Sequence, residues 1–105
     1  MTEQSKPLFI PLKTEYYEAF ERGDKTEELR LYGSRWNERI CSVGRFVILS
    51  KGYGKKCRMI GRIWRFKKQC GFTFGSSYKA DILAVYGTLD VDIAVISITD
   101  LRKAE

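Results

Sequence analysis

Residues 23 to 56 dominate the interpretation of the chain, and they read GDKTEELRLYGSRWNERICSVGRFVILSKGYGKK. Polar and apolar residues alternate near the start of this stretch, which predicts a β-strand over residues 26 to 32. Glu28 and Arg30 fall on one face of that strand, and the two leucines beside them fall on the other. We expect the leucines to face the core and Glu28 and Arg30 to point together toward a groove or solvent.

A short motif opens this stretch, Gly-x-Lys-Thr-x-Glu-x-Arg, formed by Gly23, Lys25, Thr26, Glu28 and Arg30. Further blocks follow it as WNER at 36 to 39, VGR at 43 to 45 and SKGYGK at 50 to 55. Together these blocks resemble the ASCH domain family of the phage and prophage type, small relatives of the PUA RNA-binding fold. The resemblance covers residues 9 to 66. It implies a small, partly open β-barrel flanked by two helices.

The pattern of the whole chain predicts an α+β fold of short strands and two helices. We expect strands over residues 9 to 12, 26 to 32, 45 to 49, 58 to 66 and 91 to 99. We expect helices over residues 15 to 22, capped by Thr14, and 78 to 86, capped by Ser76 or Ser77. Residues 1 to 7 are expected to be loose and residues 67 to 77 to form a loop. A length of 105 residues fits a single domain, 1 to 105.

Basic residues are concentrated in the middle of the chain. The net charge is +6, yet residues 1 to 40 hold seven Lys/Arg and eight Asp/Glu. Residues 41 to 80 hold ten Lys/Arg and no acidic residue. This asymmetry favours a polyanion partner, with an exposed solubilising face as the plainer alternative.

Several classes of protein are disfavoured by composition. No apolar run approaches the length of a membrane span, and the N-terminus lacks the order of a signal peptide, so we expect a cytoplasmic protein without membrane contact. The chain has no histidine and three widely spaced cysteines, Cys41, Cys57 and Cys70. We therefore expect free thiols, no metal site and no cofactor. Catalysis through a histidine is excluded.

Three groups of residues are candidate site residues. The first is Lys25 and Thr26 with Glu28 and Arg30, which can grip a base or phosphate; the alternative is a surface ion-pair ladder. The second is Arg35, Trp36 and Arg39, which can stack on bases; the alternative for Trp36 is core packing. The third is a basic loop with the arginines that follow it; the alternative is an ordinary hairpin. It comprises Ser50, Lys51, Gly52, Tyr53, Gly54, Lys55, Lys56, Arg58 and Arg62.

These groups predict a nucleic-acid-binding module, with RNA in single-stranded or loop segments as the ligand. The chain is expected to be a monomer or weak dimer. One alternative is an enzyme on modified nucleosides or RNA, an amidohydrolase or ribonuclease, with Lys25 and Glu28 as an acid–base pair. Another is a protein–protein module, which would expose an apolar patch in place of a basic groove.

The ASCH family has an enzymatic branch of amidohydrolases that act on acetylated cytidine. Resemblance to that branch implies a catalytic lysine at Lys25, a threonine three residues later and a glutamate further along. Glu28 stands at the threonine position, and no glutamate occurs between Glu38 and Glu105. Only Lys25 therefore carries over, and we predict no rapid hydrolysis of N4-acetylcytidine.

Overall fold

Five strands and two α-helices follow one another in the computed structural model, which describes residues 6 to 104. They are β1 (Leu8–Leu12), α1 (Thr14–Arg22), β2 (Glu27–Leu31), β3 (Phe46–Lys51), β4 (Arg58–Cys70), α2 (Ser76–Tyr86) and β5 (Asp92–Lys103). A 3₁₀ turn, Gly71–Thr73, joins β4 to α2. The expected looseness of residues 1 to 5 lies outside the described residues, whereas the carbonyl of Lys6 accepts a hydrogen bond from Arg45 Nε at 3.1 Å.

The strands form one curled half-barrel sheet in the order β1-β3-β4-β5-β2. β1 and β3 run parallel, and the other neighbouring pairs are antiparallel. The loop after β3 joins the antiparallel pair β3 and β4, as the hairpin prediction requires. The predicted α+β class with two helices is confirmed.

The main core lies between α1 and one face of the sheet, which we call the inner face. Tyr17 and Phe20 of α1 are buried there against Val47, Leu49 and Ile63 of β3 and β4. Gly23 ends α1 in a left-handed conformation, with φ of 84° and its N–H bonded to carbonyls of the last turn. These two residues of the aromatic stripe on α1 are therefore core packing.

A second, smaller cluster lies on the opposite, outer face. Ile82 of α2 packs there with Phe74 and with Ile93 and Val95 of β5. Because both faces of β5 are covered, residues 93 to 98 are all buried.

The two faces of β2 correct one expectation. Glu28 pairs with Ile96 and therefore faces the inner side, whereas Leu29 pairs with Val95 and faces α2. Leu31 shares that outer face but is 45% exposed, so the expectation that both leucines face the core was wrong for Leu31. A helix on the outer face, which strand alternation alone does not reveal, gives the sheet two apolar sides.

The predicted helix caps were also wrong. Thr14 and Ser76 are the first helical residues, and Lys13 and Gly75 precede them without a side-chain cap hydrogen bond. β4 and β5 each extend four residues beyond their predicted ends. Residues 67 to 70 continue β4, where they pair with residues 92 to 95 of β5, so the loop predicted from residue 67 begins only at Gly71. The buried partner strand holds this polar segment extended.

The three cysteines are free thiols, with Cys41 buried, Cys57 exposed and Cys70 half-buried. Within residues 6 to 104, no group of three or more Cys, Asp or Glu side chains is arranged to hold a metal ion. In the same part of the chain, no helix has the length and apolar character needed to cross a membrane.

Candidate functional site

A cavity of about 350 Å³ lies where the two edge strands of the half-barrel, β1 and β2, approach each other beside both helices. This volume falls within the range of ordinary ligand pockets. The cavity is lined by Pro11, Leu12, Lys13, Tyr16, Lys25, Glu28, Leu29, Arg30, Tyr78, Asp81, Ile82, Val85 and Tyr86. It therefore combines aromatic and aliphatic walls with a small set of charged groups.

Glu28 is the most deeply buried charged group of this cavity, with its side chain only 8% exposed. Its Oε2 accepts a hydrogen bond from Arg30 Nε at 2.7 Å, and its Oε1 lies 3.8 Å from Lys25 Nζ. A buried carboxylate requires such compensation, because an unpaired buried charge is strongly unfavourable. Oε1 is the oxygen with the longer protein contact, so it is better placed to accept a hydrogen bond from a ligand.

Arg30 links the two edges of the half-barrel. Its Nη2 donates a hydrogen bond to the carbonyl of Pro11 in β1 at 2.6 Å, while Arg30 itself belongs to β2. Its guanidinium also lies 4.8 Å from the ring centroid of Trp36. The planar guanidinium presents five N–H donors in a rigid fork, whereas a lysine ammonium is a compact charge on a flexible stem. Arg30 therefore both neutralises Glu28 and ties β2 to β1 where the barrel is open.

Lys25 enters the cavity because α1 ends two residues earlier. The backbone N–H groups of Asp24 and Lys25 both bond to the carbonyl of Ala19, which folds the chain back across the end of the helix. The Lys25 ammonium lies 5.3 Å from the Tyr16 ring and 5.5 Å from the Phe20 ring. These aromatic faces stabilise a cation and hold its N–H groups near Glu28.

Two tyrosines provide hydroxyl groups around the same charges. Burial, followed by the negative charge of Asp81, raises the pKa of Tyr16. Burial, followed by the negative charge of Glu27, raises the pKa of Tyr78. Both hydroxyls therefore stay protonated at neutral pH and can donate a hydrogen bond. Sequence patterning placed Tyr16 and Tyr78 on helices but did not assign them to a site, because only the fold brings the two helices to one cavity.

Thr26 does not join the rest of its motif. It is exposed, and its carbonyl accepts a hydrogen bond from the Ile98 N–H. Thr26 lines a shallow hollow beside Thr99 and Asp100 instead of the cavity. The structure therefore does not bring Thr26 together with Glu28 and Arg30, and the chain enters β2 only at Glu27.

The second predicted group is divided. Trp36 packs against the main core, and its ring lies against the Arg30 guanidinium. It therefore positions Arg30. Arg35 and Arg39 are exposed, and neither lines the cavity. Asn37 holds the turn, since its Nδ2 donates to the Gly33 carbonyl at 2.9 Å and its Oδ1 accepts from the Ile40 N–H at 3.0 Å.

The basic loop after β3 does not line the cavity, but it is attached next to it. The N–H of Gly52 donates to the carbonyl of Leu12, a cavity residue, at 2.9 Å. That N–H is therefore not free for an anion. Lys51 is also partly neutralised, since its Nζ lies 3.4 Å from Glu18 Oε2. Ser50 is fully buried, and its hydroxyl donates to the Gly54 carbonyl at 3.1 Å.

Exposed basic and aromatic groups remain at the tip of this loop, where Tyr53 is 80% exposed and Lys55 and Lys56 face solvent. Arg58 and Arg62 lie elsewhere, on the outer face of the sheet. Their guanidinium carbons lie 5.1 Å from the Phe9 ring and 5.0 Å from the Phe46 ring. The predicted site residues thus fall into a cavity group, a neighbouring loop group and an outer-face group.

Neither a family model nor a curated protein matches this chain.

Proposed function

We propose that the protein is an RNA-binding module of the PUA-like type whose cavity takes one unpaired base. The observation that carries this proposal is the buried Glu28 carboxylate, which lies between Lys25 and Arg30 in a cavity walled by tyrosines. Such a site is unfavourable for binding a phosphate, because a carboxylate repels an anion. It suits a neutral, flat ligand with both donors and acceptors on its edge.

The polar groups of the cavity match a base that carries an amino group and a carbonyl oxygen on the same edge, with one ring nitrogen between them. Glu28 Oε1 can accept a hydrogen bond from the amino group, and Lys25 Nζ, 3.8 Å from that oxygen, can donate to the carbonyl oxygen of the same edge. Cytosine and guanine have such edges, whereas uracil has no amino group. Tyr16 and Tyr78 can contact the faces or edges of the bound base, because aromatic side chains and bases stack well.

The neighbouring loop supplies the contacts to the RNA backbone. Lys55 and Lys56 are exposed on the loop that is hydrogen-bonded to the cavity residue Leu12, so a nucleotide in the cavity can extend its phosphates toward them. Flexible lysines serve as point charges for phosphate without reading the sequence.

The test compares Glu28→Gln with the control Glu21→Gln. Glu21 lies on α1, forms an ion pair with Lys103 and does not line the cavity. Fluorescence anisotropy would measure the binding of short cytidine, guanosine, uridine and adenosine homopolymers. Glu28→Gln should change the preference among bases by about 1–3 kcal/mol, because the amide replaces one acceptor with a donor.

Glu21→Gln should leave that preference unchanged. If the wild-type protein binds no RNA at low salt, the proposal fails. If both variants affect all four homopolymers equally, Glu28 does not read a base.

An enzymatic role is the second candidate, favoured by the lysine–carboxylate pair inside the cavity. Lys25 and Glu28 are close enough to exchange a proton with a bound nucleoside. Thr26 is outside the cavity lining, and we therefore expect no rapid hydrolysis of N4-acetylcytidine. Rapid turnover that Lys25→Ala abolishes, measured by chromatography of the product, would replace the binding role with a catalytic one.

A further inference from the structure

The outer face of the sheet carries a row of aromatic rings, each with an arginine guanidinium lying over it. The three pairs are Phe9 with Arg58 at 5.1 Å, Phe46 with Arg62 at 5.0 Å and Trp64 with Arg65 at 5.2 Å. Phe46 is 46% exposed and Trp64 is 52% exposed. A contiguous row of exposed rings often marks a binding site, whereas single exposed rings are common on protein surfaces.

Strand register places the three rings on one diagonal. Phe46 of β3 lies opposite Arg62, two residues before Trp64 on β4. Phe9 of β1 lies opposite Ile48, two residues beyond Phe46 on β3. Each step therefore crosses one strand and moves two residues, which separates neighbouring Cα atoms by about 8 Å. A strand of nucleic acid that lies across the sheet meets one ring after another.

This part of the outer face is not covered by either helix. α1 packs on the inner face through Tyr17 and Phe20, and α2 packs over β5 through Ile82. The half-buried Ile48 and Ile60 lie between the rings and give the surface an apolar floor.

The charge of this surface is complementary to a polyanion. No Asp or Glu occurs in residues 39 to 80, which include β3 and β4. At the edge of the row, Glu27 lies 3.8 Å from Arg65, whose side chain is still 50% exposed. Arg58 keeps its position through a hydrogen bond from its Nε to the Gly54 carbonyl at 3.1 Å.

We propose that this outer face, formed by Phe9, Phe46 and Trp64 with their arginines, is a second binding surface for single-stranded RNA. Bases stack on the exposed rings or on the guanidinium groups above them, and the arginines contact the phosphates between the bases. A duplex is a poor ligand, because its base faces are already stacked. The ligand class is that of the proposed function, but the surface does not depend on the cavity.

The test uses an oligouridylate of about ten nucleotides, a length comparable to single-strand sites in other sheet folds. Uracil lacks the amino group that the cavity reads, so binding reports mainly on the outer face. Trp64→Ala should weaken binding by about 5- to 150-fold, the range measured for loss of one stacked base. Phe46→Ala should act similarly, whereas Trp64→Phe, which keeps a ring, should retain most of the affinity.

Phe72→Ala is the matched control, because Phe72 is 56% exposed on the turn before α2 and outside the row. It should bind like the wild type. The substituted rings are exposed, and circular dichroism melting would verify that each variant is folded. In the wild type, oligouridylate should also quench tryptophan fluorescence, and Trp64→Ala should lose that quenching.

The outcomes separate this proposal from the cavity. If Trp64→Ala and Phe46→Ala weaken binding while Glu28→Gln has no effect on any base, the outer face binds RNA and the cavity proposal fails. If Glu28→Gln alters base preference while the ring variants bind oligouridylate normally, the outer-face proposal is overturned. It is also overturned if RNA duplex or polyglutamate competes as well as the single strand, since the surface then recognises charge alone.

Discussion

Arg30 stabilises both the candidate site and the contact between the two edge strands. One guanidinium neutralises the buried Glu28, reaches the Pro11 carbonyl on the opposite edge strand and lies over Trp36. The same three contacts fix the orientation of the carboxylate in the cavity. Site and barrel closure therefore depend on one side chain.

Arg30→Ala should lower the free energy of unfolding by about 2–4 kcal/mol, because the buried Glu28 loses its shortest ion pair and keeps only Lys25, at 3.8 Å, as a charged partner. Denaturant unfolding followed by circular dichroism measures this loss. Adding Glu28→Gln to Arg30→Ala should restore part of it by removing the buried charge. Arg35→Ala, at an exposed position on the adjacent loop, should change stability by less than about 0.5 kcal/mol. If Arg30→Ala and Arg35→Ala lowered stability equally, the role of Arg30 in joining β2 to β1 would be contradicted.

The thiols should differ in reactivity. Burial raises the pKa of Cys41 to about 11, and the residue is fully buried. At pH 8 its thiolate fraction is then about one in a thousand, and a labelling reagent has no access to it. Iodoacetamide should label the exposed Cys57 first and Cys41 only after unfolding, as mass spectrometry of the peptides would reveal. Labelling of Cys41 in the folded protein at the rate of Cys57 would contradict this burial.

At the scale of elements, α2 forms one wall of the cavity. The chain segments that enter and leave this helix lie close together where they join the sheet. The N–H of Gly71, before the helix, donates to the Val91 carbonyl, after it, at 2.8 Å. A Cβ atom on Gly71 would lie 2.5 Å from the Leu89 carbonyl oxygen. Only glycine permits this close approach, which brings the two ends of the segment together.

Gly71→Ala should therefore lower the free energy of unfolding by about 1–3 kcal/mol or more, since backbone must move to admit the methyl group. It should also increase hydrogen exchange in α2, because the base of its segment opens. Gly54→Ala is the control, since a Cβ there meets nothing within 4 Å. An unchanged melting temperature for Gly71→Ala would refute the close approach.

Much of the element order follows from local pattern. The alternation around Glu28, the aromatic stripe of α1 and the β-branched run of β5 each predicted the correct element. Helix caps and strand ends did not follow, because the glycine and lysine that precede the helices carry no side-chain signal. Leu31 was misassigned because its burial depends on a helix fifty residues away in sequence.

The site was predictable only where its residues are close in sequence. Lys25, Glu28 and Arg30 were identified together because one helix end and one strand hold them. Tyr16 and Tyr78 joined them only through packing of two helices. Trp64 had a signal in the sequence, its alternation with Arg62. Phe66 continues that alternation, but the β-bulge between Ile63 and Arg65 places it on the inner face, against the main core. Register shifts of this kind are not visible in composition.

At the scale of the whole molecule, the basic loop lies next to the cavity. In the proposed function the loop contacts phosphates and the cavity binds a base. Lys55→Ala combined with Lys56→Ala should weaken the binding of all RNA sequences alike. It should also flatten the dependence of log affinity on log salt by up to about 1.4, because each phosphate contact on a single strand releases about 0.7 counterion. Anisotropy titrations at several salt concentrations measure the slope. If the salt dependence is the same in this variant as in the wild type, Lys55 and Lys56 do not contact the phosphates.

The proposed function requires that a base enters the Glu28 cavity. Proton–nitrogen correlation NMR of the labelled protein, titrated with cytidine, guanosine and uridine monophosphates, tests this residue by residue. We predict that the first two shift the amide signals of Glu28, Arg30, Tyr78 and Ile82 together, and that the uridine nucleotide shifts them much less. Shifts confined to the loop at residues 52 to 56, equal for all three nucleotides, would mean that the protein recognises phosphate alone and would contradict the account.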